Sequence, residues 1–492
     1  MSDSNGLLLA SLAIAPLAIL GIVLLRSRPN WREGVSVLAS IALFAVNIGI
    51  YHSLQQGATL SWRSGEILPG LRLELAVEPL GALFALIASF LWLVTVVYAV
   101  GYMRGHGEQN QTRFYAFFAL SIGCVMGVAF SGNLLTLFLF YEMLSLSTWP
   151  LVVHAGNDKA RHGGRVYLGV LLGTSIVFFL PAIILTWWST GSLSFVPGGL
   201  FPENTDPRLL SALLVLFVFG VGKAAMMPFH RWLPAAMVAP TPVSALLHAV
   251  AVVKAGVFSL VKIGVYVFGL DQLAAVDSRE WLLYLAGFTL LAASIVAMQK
   301  DNLKARLAYS TVSQLAYVTL GVLLAVPDGV TGSGLHIAMH AFGKITLFFC
   351  AGAILVASHK TEVSQLRGLG RQMPFTMAAF LLASLSIAGL PPTGGTWSKW
   401  FLMLGTLDTG ALVLTAALVV SSLLNIVYLT LIPVRAFWRF DGADEAAAPT
   451  EVREAPLACC LAIGVTTAIC VALFLFPQPL YELVAQIPLG GG

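Results

Sequence analysis

Five lysines interrupt long apolar runs of this chain: Lys223, Lys254, Lys262, Lys344 and Lys399. A charge at the centre of a membrane helix costs roughly 2.5–3.5 kcal/mol to insert, so such residues face a partner or a hydrated cavity. Glu142 is of the same kind, lying in Leu137-Phe138-Leu139-Phe140-Tyr141-Glu142-Met143-Leu144-Ser145 with no adjacent loop. Its bland reading is a structural ion pair that locks two helices together; its functional reading is a carboxylate on a transport route. Lys223 follows Gly220-Val221-Gly222 and precedes Pro228 by five residues. Glycines allow close backbone approach and the proline frees a carbonyl, so this helix is expected to break near its lysine. Burial disfavours an ammonium and a nearby carboxylate favours it. A Glu142–Lys223 pair would therefore toggle between paired and unpaired states, holding or releasing a proton.

Further along, His248 and Lys254 stand six residues apart, about 9 Å along a regular helix, close enough for a proton to pass through one or two waters. Lys262 falls nearer the outer end of the same segment, where snorkelling to the interface is the expected explanation. Lys304 and Arg306 begin another group at the inner end of a later span, and Arg306 reads as an anchor on the cytoplasmic side. His336, His340 and Lys344 recur at i, i+4 and i+8, which aligns three titratable groups on one helix face. Histidines at i, i+4 also suit zinc, but no Glu or Cys accompanies them as in HExxH, so a proton relay is the preferred chemistry and no metal is expected. Gly389-Leu390-Pro391-Pro392-Thr393-Gly394-Gly395 then precedes Lys399. Pro391 and Pro392 followed by paired glycines cannot continue a helix, so a second break close to a lysine is expected there.

The elements that must hold these residues are membrane helices. Of the 492 residues 58% are hydrophobic and 10% charged, and the mean hydropathy is +0.87. Soluble domains carry about 25% charged residues, so that class is excluded. Cys124, Cys350, Cys459, Cys460 and Cys470 lie in apolar runs without ligand spacing, which argues against disulfides, iron–sulfur centres or a cysteine-held metal. The opening Met1-Ser2-Asp3-Ser4-Asn5 lacks a basic n-region, so the first apolar run reads as a retained helix. Apolar runs predict fourteen spans, near 6–26, 33–52, 77–102, 113–130, 132–154, 165–188, 209–229, 241–268, 281–298, 303–325, 332–358, 374–404, 410–437 and 455–476. Lysines and arginines of the odd-numbered loops, from Arg26 through Arg439 to Arg453, number 18, against 4 on the other side: Arg63, Arg72, Arg208 and Arg279. That asymmetry predicts a multi-pass protein of the inner (plasma) membrane with basic loops in the cytoplasm and both termini outside.

Breaks at Lys223 and Lys399 fall five spans apart, which is the mark of inverted repeats. The expected all-α architecture is therefore 1–112 (three N-terminal helices), 113–270 (spans four to eight), 271–440 (spans nine to thirteen) and 441–492 (the last helix), with spans seven and twelve broken.

From about Tyr102 to Arg435 the chain resembles the antiporter-type subunits shared by respiratory complex I and Mrp-type multisubunit cation/proton antiporters. The resemblance rests on Asn133–Ser147 around Glu142, on Gly222-Lys223 with Pro228-Phe229-His230-Arg231-Trp232-Leu233-Pro234, and on Ser244-Ala245-Leu246-Leu247-His248 with Val253-Lys254-Ala255-Gly256. His336, His340-Ala341-Phe342, Lys344, Gly389-Leu390-Pro391-Pro392 and Lys399 complete it. It implies that Glu142 and Lys223 form the first half-channel, that Lys254 with His248 carries the proton along a central axis, and that His336, His340 and Lys344 lead to Lys399 on the exit side. Where the family often has Leu-Pro-Asp-Ala, this chain reads Leu233-Pro234-Ala235-Ala236, so any role of that carboxylate does not transfer. Within the family, the lysine at 399 suits both the D-type subunit of multisubunit Na+/H+ antiporters and the complex I subunits that keep a lysine there, a length near 490 suits the D-type and the smaller complex I subunits alike, and an end soon after the last span disfavours the largest complex I subunit; the D-type subunit is the preferred reading. The alternative is an N- or M-like proton-pumping subunit of an NADH:quinone oxidoreductase.

Expected partners are the other membrane subunits, H+, a monovalent cation taken as Na+, and the lipid bilayer, with no nucleic acid and no cofactor. A redox enzyme in its own right lacks glycine-rich phosphate motifs and cysteine ligand sets here. A metabolite carrier needs mixed donors and aromatics around a roomy site, and a passive scaffold leaves the costly lysines unexplained.

Overall fold

The computed structural model describes residues 2–68, 70–438 and 453–489. Arg439 and the expected boundary between 440 and 441 lie outside the described residues. The chain is a polytopic, predominantly α-helical membrane protein: among the described residues, eleven helices are long and apolar enough to cross a bilayer. The helices in chain order are α1 (Ser2–Leu24), α2 (Pro29–Gln55), α3 (Pro79–Gly105), α4 (Gln111–Ala129), α5 (Leu134–Val152) and α6 (Asp158–Thr190). They continue as α7 (Pro207–Gly220), α8 (Thr241–Phe268), α9 (Ser278–Gln299), α10 (Leu303–Leu323) and α11 (Pro327–Ser358). The last five are α12 (Pro374–Ala388), α13 (Gly395–Asp408), α14 (Leu412–Phe437), α15 (Leu457–Leu475) and α16 (Gln478–Ala485). Helices α7 and α12 are shorter apolar segments. Helix α10 has the length of a span but carries Lys304, Arg306, Ser310, Thr311, Ser313 and Gln314, and so is less apolar than its neighbours.

Local chemistry sets the helix ends. Asn133 and Asn302 cap α5 and α10 by accepting the N–H of Thr136 at 2.8 Å and of Ala305 at 3.0 Å. Proline opens α2, α3, α7, α11 and α12, where its missing N–H is no loss. Gly389 closes α12 at φ +83°, a conformation that glycine adopts at little cost.

One segment departs from the all-α expectation. Between α2 and α3 the chain forms a hairpin of β1 (Ser61–Leu68) and β2 (Leu71–Ala76), antiparallel, with Arg63 opposite Glu74 and Glu66 opposite Arg72. The alternation Leu71-Arg72-Leu73-Glu74-Leu75 has the period of a strand. A search for long apolar runs passes over it.

Helix α8 is the centre of the molecule: every residue from Thr241 to Leu270 is buried. It packs against α3, α10 and α11, and α11 in turn packs against α12, α13 and α15. A helix buried all round faces protein rather than lipid, so its polar residues must find protein or water.

Candidate functional site: a buried line of ionisable residues

Helix α7 stops at Gly220, and Gly222–Ala224 form a single 3-10 turn that carries Lys223. The turn is braced by Trp232, whose indole N–H donates to the Gly222 carbonyl at 3.0 Å. Lys223 is fully buried. Its ammonium donates to the Tyr141 carbonyl at 2.7 Å and to Ser145 Oγ at 2.6 Å, and lies 3.1 Å from the centre of the Tyr141 ring. Its backbone N–H donates to the Tyr141 hydroxyl at 3.0 Å. Tyr141 and Ser145 are the neighbours of Glu142 on α5, yet no Glu142–Lys223 contact within 4.0 Å exists among the described residues. Both Glu142 oxygens are buried without a protein hydrogen bond among the described residues. The direct ion pair expected from the sequence is thus replaced by a lysine held on neutral oxygens, with the carboxylate left unpartnered one residue away.

Gly256 permits this arrangement. A Cβ there would run into the backbone of Lys223 and Ala224. Gly256→Val is expected to destabilise the fold by about 1–3 kcal/mol through overpacking, read as a lowered melting temperature of the detergent-solubilised protein.

The middle of the line lies between α8, α10 and α11. A wide π turn at Leu246–Val250 carries His248, so the helix is not regular between His248 and Lys254. Lys254 turns instead to α11, where its Nζ lies 2.6 Å from His340 Nδ1. The ring of His248 packs on Phe348 with centroids 4.7 Å apart, and among the described residues neither of its nitrogens has a protein partner. His340 stacks on His336 at 5.8 Å, and His336 stacks on Tyr317 at 5.4 Å. His336 Nδ1 also lies 2.9 Å from Ser398 Oγ. Lys344, the third member of the α11 face, donates to Ser310 Oγ at 2.6 Å and to the Leu307 carbonyl at 3.3 Å. Tyr428 donates to the same Ser310 hydroxyl at 3.0 Å.

At the far end, α12 stops at Ala388 and α13 begins at Gly395, with Pro391 and Pro392 between them. Lys399 donates to the carbonyl of Ala388 at 3.0 Å and to Ser422 Oγ at 2.9 Å, with the Tyr317 hydroxyl at 3.4 Å. The carbonyl end of α12 carries partial negative charge and suits an ammonium. A cavity of about 230 Å³ with mainly apolar walls opens beside Lys399 and Trp400. Pro228 lies eight residues beyond the end of α7, past the turn that carries Lys223.

Several contributors are not singled out by the sequence. Tyr141, Ser145, Ser310, Tyr317 and Ser422 supply the oxygens, and Gln314 is fully buried with neither amide atom bonded to protein among the described residues. On α10, Gln314 is one turn from both Ser310 and Tyr317, which meet Lys344 and His336, so it lies between the two contacts. Serine and tyrosine are common in apolar helices, and only a buried amide inside a span gives a signal that could be read. Among the described residues Glu142, His248, Gln314, His336 and His340 each keep a buried polar atom without a protein hydrogen-bond partner. Amines, imidazoles and hydroxyls within hydrogen-bond reach of one another can pass protons by small rotations.

Arg306 donates to the carbonyls of Lys300 at 2.7 Å and Tyr428 at 3.2 Å near the start of α10. Lys262 does not snorkel: it is fully buried and forms an ion pair with Glu78 at 3.0 Å, because α8 is enclosed by protein along its whole length. Among the described residues no group of three histidines, cysteines or carboxylates is placed to hold a metal.

Residues 131–425 match the family model described as NADH:quinone oxidoreductase/Mrp antiporter, TM. The chain is 34% identical over 425 residues to NADH-quinone oxidoreductase subunit N of Desulforudis audaxviator, covering 85% of this chain and 84% of that one. It is 32% identical over 389 residues to the A/B component of a probable K(+)/H(+) antiporter of Rhizobium meliloti, covering 78% of this chain but only 38% of that longer one. In fold it is similar to a chain of the Mrp complex from Dietzia sp. DQ12-45-1b, with a TM-score of 0.87, 22% identity and coverage of 99% of this chain and 97% of the other.

Proposed function

Since the chain belongs to the NADH:quinone oxidoreductase/Mrp antiporter membrane family, we propose that it is a proton-translocating subunit of a multisubunit antiporter, moving H+ along the line Glu142, Lys223, His248, Lys254, His340, His336, Lys344 and Lys399. The observation that carries the reading is the Lys254–His340 contact, 2.6 Å between an amine and an imidazole nitrogen. That distance is within hydrogen-bond reach, so a proton can be handed between the two nitrogens, and both side chains are buried. Membership of the family and likeness in fold to multisubunit complexes support the need for partner subunits.

The finer reading is the D-type subunit of a Na+/H+ antiporter, with fourteen spans, two inverted five-helix repeats over 113–270 and 271–440, broken spans at Lys223 and Lys399, and both termini outside the cytoplasm. The eleven long apolar helices, α10, α7 and the α12–α13 pair are compatible with that count. A second reading, an N- or M-like subunit of an NADH:quinone oxidoreductase, is favoured by the similarity to subunit N over most of both chains.

Na+ takes oxygen ligands and is repelled by ammonium groups, so the line suits protons and the exchanged cation is handled with the neighbours' help. The test is Na+/H+ exchange in inverted vesicles from antiporter-deficient cells. Exchange is expected with the genomic neighbours present and not with this chain alone. Na+-dependent exchange by the chain alone would count against the division of labour. Copurification with a redox module, without exchange in any combination, would favour the second reading.

A further inference from the structure

Two arginines stand at the end of the bundle where α9 finishes at Gln299, α10 starts at Leu303 and α14 finishes at Phe437. Arg306, in the first turn of α10, is fixed against the protein. Its Nε donates to the Lys300 carbonyl at 2.7 Å and its Nη1 to the Tyr428 carbonyl at 3.2 Å. Both acceptors are neutral, so the guanidinium is positioned without its charge being cancelled. Arg435, in the last turn of α14, is exposed. Among the described residues neither arginine forms an ion pair. Asp301 is close enough to act on Arg306, but its oxygens are taken by the N–H of Ser364 at 2.9 Å and its hydroxyl at 2.6 Å. Arg435 acts on Arg306 as a like charge. Two positive charges that share one small space favour an anion between them.

That space is a cavity of about 210 Å³ lined by both arginines and by mostly apolar side chains, among them Met298 of α9 and Val427, Leu431 and Ile432 of α14. Met298 and Val427 are exposed, and the exposed faces continue away from the arginines through Ile295 on α9 and Leu423 on α14. Just past Arg435, Phe437 and Trp438 are exposed as well. Exposed tryptophan in a membrane protein marks the level of the lipid headgroups. The charges thus lie at headgroup depth, and the apolar faces begin where acyl chains begin. An arginine at a helix end often snorkels into bulk headgroups. Arg306 departs from that behaviour because two carbonyls hold it in place before any lipid arrives.

We propose that Arg306 and Arg435 clasp the phosphate of an anionic phospholipid, whose acyl chains lie along the exposed faces of α9 and α14. Guanidinium forks match phosphate oxygens in both shape and charge. A soluble anion would have no use for the apolar walls. A zwitterionic lipid would bring its own cation against the two arginines. The site is independent of the buried line and holds under either reading of the complex to which the chain belongs.

The test reconstitutes the assembled complex in phosphatidylcholine vesicles with a trace of phosphatidylglycerol that carries a diazirine on one acyl chain. After illumination, labelled peptides are mapped by mass spectrometry. Labelling is expected around Met298 and Val427, several-fold stronger than with a matched phosphatidylcholine probe. Arg435→Gln should cut it roughly fivefold or more at normal abundance, the scale of one basic contact with an anionic lipid. Arg306→Gln should do the same. If that variant does not accumulate, because the Tyr428 carbonyl has lost its donor, Arg435→Gln decides alone. Equal labelling of wild type and Arg435→Gln overturns the site, as does equal labelling by the two probes, which would leave only bulk lipid contact. Displacement of the probe by inorganic phosphate would mark a site for a soluble anion and overturn the lipid. No labelling of the wild type overturns it too, and cross-linking of Val427→Cys to a partner subunit would then give the face to protein.

Discussion

Lys223→Ala is expected to abolish ion movement by the assembled complex, by roughly a hundredfold or more, the scale set by losing a positioned proton-transfer group. Among the described residues no second amine donates to the groups that hold it. Its ammonium is held by the Tyr141 carbonyl, Ser145 Oγ and the face of the Tyr141 ring, in a turn that exists because α7 ends three residues earlier. Lys223→Arg sharpens the test. Arginine keeps the charge, and so would serve a purely structural cation, but it does not give up its proton. The arginine variant is therefore expected to assemble and still fail in vesicle exchange. Wild-type exchange by Lys223→Arg would show that the residue holds the fold and does not carry the proton.

The second large effect is expected at Lys254. Lys254→Met removes the one amine that, among the described residues, hydrogen-bonds His340, and splits the buried line between α8 and α11. Transport should fall by a factor of about a hundred, with abundance unchanged, because methionine fills the space of the lysine stem without a charge to bury. His340→Asn should be milder, on the order of tenfold, since the amide keeps a hydrogen-bonding group on the side of the amine. The contrast between the two variants is the measurement. Equal and complete loss in both would make the histidine an obligate carrier, and equal and slight loss would remove the pair from the route.

The buried line is legible in outline because charge in an apolar run is expensive. Lys223, Lys254, Lys344 and Lys399 stand out one by one on that ground alone, without knowledge of any neighbour. The i, i+4, i+8 spacing of His336, His340 and Lys344 likewise speaks for one face of one helix, and α11 runs unbroken through all three. Their partners are not legible. The sequence pairs Lys223 with Glu142, whereas the ammonium meets the carbonyl and hydroxyl on either side of that residue. It pairs Lys254 with His248, whereas a wide π turn and the packing of α11 turn the lysine to His340, 86 positions away. The spacing argument assumes a regular helix there, and local widening of a turn leaves little trace in residue types.

Lys262 marks the same division most clearly. Its position near the end of an apolar run is compatible with a side chain reaching the interface. Only the enclosure of α8 by α3, α10 and α11 forces it to pair with Glu78 inside the protein.

Residue type and spacing determined that this chain is a multi-helix membrane protein and which of its residues bear unusual chemistry, since transfer free energy belongs to each residue and its immediate sequence neighbours. The tertiary structure alone decided which oxygen or nitrogen each buried amine meets. Those contacts join helices far apart in the chain, and their geometry depends on crossing positions and close approaches, such as that at Gly256, that no local pattern encodes.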